Sequence, residues 1–344
     1  MKFLIDINHP AHVHFFRQPM ELLAARGHEL VVTSRAKEMA LPLLDELGVR
    51  HVVLSAHKGG GLLVLGQELI KRDWALWQVA RRERPDAMAA IGGTFVAHVG
   101  WLSGIPSLVF YDTENAKLQN AITYPFARRV IVPRCYQGRL PSHQERYDGY
   151  HELSYLHPRR FQPDRALAEH NGLDPARDNF FVRTVSWQAN HDLLETGWSV
   201  PLLRRLVAWL AERGRVHISS ETSLPEDLAS FAYRGRVGDV HHLMAHCRLF
   251  VGESATMASE CAVLGVPAIY AAHTGRGYTD EQEHRYGLVS NLRQFDADRL
   301  IASASAMLQQ PSSVWPERHR RLLAETIDVA SYVADRIEQR GTAL

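Results

Sequence analysis

Cysteine is scarce in this chain. Cys135, Cys247 and Cys261 are the only three in 344 residues, far apart and without a C-x-x-C pair. Neither a disulfide framework nor a cysteine-held metal follows from that spacing, and a reducing compartment is the expectation. An excess of charge is missing too. Thirty-nine Lys and Arg against 38 Asp and Glu leave a formal net charge of +1, which argues against a nucleic-acid partner bound by phosphate neutralisation. No apolar run reaches the roughly 18 uncharged residues of a membrane span, and "MKFLIDINHP" enters a strand without the features of a signal peptide. The expected location is the cytoplasm, with contact at the inner face of the membrane as a refinement.

What remains is ordinary globular material, 46% hydrophobic and 22% charged. The length suggests two domains of about 150 residues each. "KFLID", "HVHFFRQPMELLAARG" and "HELVVTS" read as strand, helix and strand, with Gly27 ending the helix. The unit repeats through "RHVVLS", a long amphipathic helix over 62–84, and the short apolar runs "AMAAIGG", "SLVFYD" and "RVIVP". Such alternation indicates a parallel sheet covered by helices. From about Cys135 to Asp178 a polar, Pro-rich stretch interrupts it. Alternation then resumes with "NFFVRTVS", "SVPLLRRLVAWLAERG", "RVHISS" and "RLFVG". The expected fold is α/β, two doubly wound Rossmann-like domains facing across a cleft, with substrate outside the carboxyl ends of the strands. The boundaries implied are 1–160, 161–320 and a C-terminal helix over 321–344 returning to the first domain.

Chemistry is therefore sought in the loops that follow strands. "DINHPAHVHFF" carries Asp6, Asn8, His9, His12 and His14. It lacks an H-E-x-x-H helix or a nearby cysteine pair, so a metal site is not expected; a histidine near its ordinary pKa of about 6.5 serves instead as a general base toward a hydroxyl. The alternative is helix capping and packing. "YDTENAKLQN" places Asp112, Glu114 and Asn115 where a strand becomes a helix, three polar groups where a cap needs one. In "HPRRF", Arg159 and Arg160 are candidates for a diphosphate or are solvated linker charges. "VRTVSWQANHD" sets Arg183, Ser186, Trp187, His191 and Asp192 after a strand.

The most specific stretch is "FVGESATMASECAVLGVPAIY". Gly252, Glu253, Ser254 and Ala255 lead from a strand into a helix whose free N–H groups and positive dipole end suit a diphosphate. Thr256 and Glu260 are four apart and share a face. A carboxylate one and a half turns in repels phosphate but suits a ribose diol. A surface glutamate on a half-exposed helix is the plainer alternative.

With these motifs in order, the whole chain resembles the GT-B glycosyltransferase superfamily. It is similar in particular to the peptidoglycan N-acetylglucosaminyltransferases that make lipid II and to the UDP-N-acetylglucosamine 2-epimerases. The nearest resemblance is to an uncharacterised bacterial and archaeal family, a domain of unknown function related to both and often found among surface-polysaccharide genes. "AHVHFF" is similar to the peptidoglycan enzymes' Gly-Gly-His-Val loop, with His12 as the matching histidine and Pro10 and Ala11 in place of the glycines. "DTEN" is similar to their His-Glu-Gln-Asn motif, which matches Asn115. "HPRR" is similar to their Asn-Pro-x-Arg linker, which makes Arg160 the phosphate arginine. Glu260 matches the ribose-binding glutamate, and Gln282 in "TDEQEH" falls near a glutamine that contacts the donor sugar. Their Gly-Gly-Ser motif is absent, "TVSWQANHD" standing in its place.

The resemblance implies a hexosyltransferase that uses a nucleotide sugar, a UDP-sugar above all, without metal or further cofactor. It implies an acceptor of unknown chemistry, lipid-linked in one version. A 2-epimerase and a non-catalytic nucleotide-sugar-binding protein are the alternatives. The segment "KGGGLLVLGQELIKRDWALWQVARR", with Lys58, Lys71, Arg72, Arg81 and Arg82 among its tryptophans and leucines, suggests a membrane-surface helix or a core helix with a basic outer face.

Overall fold

The computed structural model describes residues 1–36, 40–56, 62–114, 116–185 and 197–341. The chain forms two units, Met1–Arg160 with Ile327–Leu344, and Phe161–Thr326.

In the first unit, β1 (Lys2–Ile7), β2 (Glu29–Ala36), β3 (His51–Ala56), β4 (Ala87–Ile91), β5 (Ser107–Phe110), β6 (Arg129–Pro133) and β7 (Gln144–Tyr147) form one sheet in the order β3-β2-β1-β4-β5-β6-β7. Every pairing is parallel. Phe3, Leu4 and Ile5 of β1 are completely buried. A strand covered on both faces is apolar at successive positions instead of alternate ones, which is why "FLI" reads as a continuous run. Leu4, Met88, Val109 and Val130 from the sheet meet Leu76, Val79 and Val96 from the crossover helices in one core.

The second unit repeats the plan with β8 (Asp178–Thr184), β9 (Gly214–Ser220), β10 (Leu249–Gly252), β11 (Ala268–Ala271) and β12 (Val289–Leu292) in the order β12-β11-β10-β8-β9, again all parallel. Its core joins Phe180, Val182, Val216, Val251 and Ile269 to Leu206, Leu210 and Leu300. The helix Ala255–Val263 stops at Gly265, whose φ of +81° turns the chain back toward β11. A side chain is disfavoured in that left-handed conformation.

Two elements differ from the sequence reading. β7 lies inside the polar stretch that suggested a linker; "QERY" is an edge strand with one fully buried residue, Tyr147, so no apolar run announces it. The C-terminal helical region breaks in two, Val314–Ala324 in the second unit and Val329–Glu338 in the first.

That last helix is held by charged contacts. Arg160 Nε and Nη2 both donate to the Asp328 carboxylate, the shortest contact being 2.6 Å, and Nη2 also donates to Ser331 Oγ at 2.7 Å. Asp328 in turn caps the helix at Ser331 N. Further along, Tyr332 and the buried Arg336 both donate to Glu145 of β7. Burial pulls the Asp328 carboxyl upward, yet its bonds to Arg160 and Ser331 hold it below its ordinary value. A depressed carboxyl stabilises the fold above its unfolded pKa of about 3.9, and that stabilisation disappears as pH falls through the folded value. Arg160→Ala is therefore expected to lower stability by about 2 kcal/mol at neutral pH. Asp328→Asn should flatten the acid limb of a thermal-denaturation profile below about pH 4.

Candidate functional site

In a doubly wound sheet, ligands collect where chain order reverses, because the two adjacent crossovers leave in opposite directions and open a crevice past the carboxyl ends. The strand orders put that point between β1 and β4 in the first unit and between β8 and β10 in the second. Asn8 and His9 follow β1, and Glu253 and Ser254 follow β10.

In the first unit the loop after β1 rests on a buried charge pair. Asp6 is 0% exposed and Arg72 1%. Arg72 Nη2 lies 3.2 Å from both Asp6 oxygens and also donates to Asn8 Oδ1, Thr33 Oγ1 donates to Asp6 at 2.8 Å, and Asn8 Nδ2 donates to Asp6 at 3.0 Å. The guanidinium also lies 4.4 Å above the Phe95 ring. Arg72, read from sequence with the basic surface of its helix, is thus a core residue; its neighbour Lys71 is the exposed one. The fixed Asn8 donates its backbone N–H to His12 Nδ1 at 3.3 Å. His9 caps the helix Pro10–Ala25, its Nδ1 accepting from Ala11 N at 3.2 Å. A neutral histidine whose Nδ1 accepts carries its proton on Nε2. In this arrangement both rings present a donor at Nε2, where the sequence reading had cast His12 as a proton acceptor.

Asp112 follows β5 and caps no helix; the next one begins at Lys117 with Ala116 at its cap. Its Oδ2 lies 3.2 Å from His151 Nδ1, and its Oδ1 accepts from Thr113 Oγ1 at 3.0 Å. The Asp112 side chain is 22% exposed and His151 8%, so a buried imidazole backs an accessible carboxylate. His151 packs on the Phe15 ring at 4.5 Å. Glu114 accepts from Gln137 N at 3.2 Å. Asn115, like Ser186, Trp187, His191, Asp192 and Lys58, lies outside the described residues. Arg160 belongs to the first unit and its guanidinium is occupied by Asp328 and Ser331, so it anchors a helix.

In the second unit Ser254 caps the helix Ala255–Val263, its Oγ accepting from Met257 N at 3.3 Å. Gly252 is required just before it: a Cβ there would stand 2.8 Å from Arg183 O and from the Phe250 ring. The N–H groups of Ala255 and Thr256 belong to the first turn, which has no intrahelical acceptors; Thr256 and Ser254 are partly exposed. Glu253 has another use. It is 3% exposed, and its carboxylate accepts from Val185 N at 3.1 Å and from Trp198 N at 2.8 Å. It therefore ties the chain after β8 to the approach to the helix Val200–Ala211.

Glu260 is 6% exposed and its Oε1 is fixed by His241 Nε2 at 2.9 Å. Gln282 is fully buried and donates to Ser259 Oγ at 2.7 Å, joining the π-helical turn Gln282–Tyr286 to the same helix. Arg183, the last residue but one of β8, donates to Ser219 Oγ at 2.7 Å near the end of β9 and to Glu221 at 2.6 Å just past it. The structure thus brings Gly252, Glu253, Ser254, Ala255, Thr256, Glu260 and Gln282 onto one helix and its neighbours. Arg72, His151 and His241 were missed as partners because each meets its carboxylate across 19 to 66 positions of sequence.

Two all-parallel Rossmann-like units define the GT-B fold class. Residues 1–159 match the family described as "Protein of unknown function (DUF354)". A UDP-N-acetylglucosamine--N-acetylmuramyl-(pentapeptide) pyrophosphoryl-undecaprenol N-acetylglucosamine transferase of Burkholderia ambifaria is 32% identical over 127 residues, 35% of this chain. The chain spans about a third of that relative's length, 34%. The UDP-GlcNAc 2-epimerase of Neisseria meningitidis, solved with UDP-GlcNAc bound, is similar in fold at a TM-score of 0.67 and 13% identity, covering 99% of both chains. MurG of Acinetobacter baumannii is similar at a TM-score of 0.60 and 13% identity over 98% of this chain and 100% of that one. These likenesses establish the fold, which transferases and epimerases share.

The Glu253 contacts yield a stability test. Glu253→Ala leaves two amides without their acceptor and is expected to cost about 2 kcal/mol or more. Glu253→Gln keeps one carbonyl oxygen and should fall between the two in a urea-denaturation midpoint.

Proposed function

We propose that the protein is a nucleotide-sugar-dependent glycosyltransferase of the hexosyl type, acting in surface polysaccharide or glycoconjugate synthesis. The observation that carries the reading is the helix Ala255–Val263, which opens at the second unit's switch point with Ser254 at its cap and Glu260 held by His241 one and a half turns in. A diphosphate fits the first-turn N–H groups and a ribose diol fits the Glu260 carboxylate. The donor proposed is a UDP-sugar. The helix terminus offsets charge on the departing diphosphate, so no metal is needed in this scheme.

On the acceptor side, the geometry favours Asp112 as proton acceptor, with His12 and His9 donating from Nε2. The acceptor oxygen forms a bond to the sugar's anomeric carbon as the bond from that carbon to the diphosphate breaks. The hydroxyl proton passes to Asp112 and the nucleotide leaves with the bonding pair. An epimerase is the second reading, supported by the likeness to the Neisseria enzyme and by the two carboxylates Asp112 and Glu114.

Contact with an anionic bilayer, and so a lipid-linked acceptor, is supported by the outer helices of the first unit. Ile70 is 70% exposed, Trp74 58%, Trp101 66% and Leu102 67%. Arg81 lies 5.3 Å over the Trp77 ring, Trp77 stacks on Trp74, and Arg82 is exposed beside them. Apolar rings bordered by guanidinium groups suit the headgroup boundary.

Incubation with a panel of UDP- and other nucleotide sugars, following nucleotide release and proton exchange at C2, tests the activity. Release that requires an acceptor and persists in EDTA is expected. Exchange without net release would identify an epimerase, and binding with neither a non-catalytic protein. Glu260→Ala should weaken UDP at least about tenfold, the equivalent of one charge-assisted bond; unchanged affinity would remove the donor-site assignment. In flotation with phosphatidylglycerol vesicles, Trp74→Ala with Trp101→Ala should reduce binding about tenfold or more. Equal binding by the double variant would refute the membrane surface.

A further inference from the structure

A cavity lies elsewhere in the Phe161–Thr326 unit. It holds about 390 Å³ beside the edge strand β9, with His170, Gly172, Arg215, His217, Tyr233 and Arg234 among its walls. Arg215 and His217 fall within the first four residues of β9, whereas Glu253 and Ser254 stand beyond the carboxyl end of β10.

The floor of this cavity has a defined polarity. Asn179 donates both amide hydrogens, to Asp174 O at 2.8 Å and Arg177 O at 2.9 Å. Its Oδ1 must then be the acceptor in the 3.0 Å contact with His217 Nε2. His217 therefore carries its proton on Nε2 and keeps a lone pair at Nδ1. The ring is 4% exposed, and burial together with Arg215 lowers its pKa to about 4, so it is neutral at physiological pH. Gly172 lies against Nδ1; even a Cβ added there would be 3.8 Å away, and its φ of +106° disfavours one.

The rim carries the opposite character. Arg215 and Arg234 are exposed and, among the described residues, form no ion pair. Of the acids nearby, Asp239 already contacts Arg236 and the Asn171 amide, while Asp174 lies close enough to act on His217. The Tyr233 hydroxyl is taken by Arg236 O at 2.9 Å. A neutral acceptor at the bottom and two guanidinium groups at the mouth select a molecule that is anionic at one end and hydroxylated at the other.

We propose that this cavity binds a sugar phosphate, its phosphate on Arg215 and Arg234 and one hydroxyl donating to His217 Nδ1. The site is separate from the one assigned to the nucleotide sugar and does not rest on that assignment.

Calorimetric titration with glucose 6-phosphate, inorganic phosphate and glucose tests it. Glucose 6-phosphate should saturate a single site at least about fivefold more tightly than inorganic phosphate, since the hydroxyl contact adds a hydrogen bond. Arg215→Ala and Arg234→Ala remove exposed side chains and should each weaken binding about fivefold or more while leaving the thermal transition in place. In the wild-type protein, the NMR signals of the His217 ring should shift on addition of glucose 6-phosphate and stay still with glucose. Absence of saturation, equal affinity for glucose 6-phosphate and inorganic phosphate, unchanged affinity in both arginine variants, or displacement by UDP would each overturn the proposal.

Discussion

Parallel pairing is the constraint on which the rest of this molecule depends. Each strand of both sheets is reached by a crossover instead of a hairpin, so helices can cover both faces and the central strands are largely apolar. In the central strands, polar side chains are displaced toward the carboxyl end. Asp6, Asn8, Asp112, Arg183, Glu253 and Ser254 all sit at or just beyond a strand's carboxyl terminus for this reason. The strand orders then decide which of those termini border a crevice, and they select the loops after β1 and β10.

Once polar groups are concentrated beside a dry core, desolvation governs their arrangement. A buried charge costs several kcal/mol unless it is paired, and the ends of these sheets are accordingly organised in pairs. Asp6 faces Arg72, Asp112 faces His151 and Glu260 faces His241. Such pairs are weak evidence of stability, but each fixes an orientation. The Arg72–Asp6 pair holds Asn8, and the Asn8 backbone N–H meets His12 Nδ1, so a residue of a distant helix bears on how that ring is oriented.

This layering explains what could be read from the sequence. Two Rossmann-like units were legible because hydrophobic period and run length are local properties: "KFLID" needs no partner to be recognised as a buried strand. The start of a helix near Ser254 was legible for the same reason. Arg72 was not, since one-residue resolution on a helix face depends on where the core lies, and Lys71 beside it is exposed. Arg160 in "HPRR" looked like a phosphate ligand, yet its partner stands 168 residues away at Asp328. β7 escaped because an edge strand with one fully buried residue has no apolar signature. Asn115 and Ser186 fall outside the described residues.

The proposed activity divides along the same line. Transfer and 2-epimerisation share a fold, and both begin by loosening the bond between an anomeric carbon and a diphosphate. In the proposed scheme the groups of the Phe161–Thr326 unit therefore bear on the class of substrate and not on its fate. The fate turns on where a proton goes. Transfer needs one acceptor for a hydroxyl proton, whereas epimerisation needs groups that remove a C2 proton and return it to the opposite face. His9 and His12 each accept at Nδ1, Glu114 is engaged with Gln137 N, and in the proposed scheme the Asp112 carboxylate beside His151 takes the proton. One carboxylate backed by a histidine meets the simpler demand. That asymmetry, more than the fold, is what inclines the proposal toward transfer.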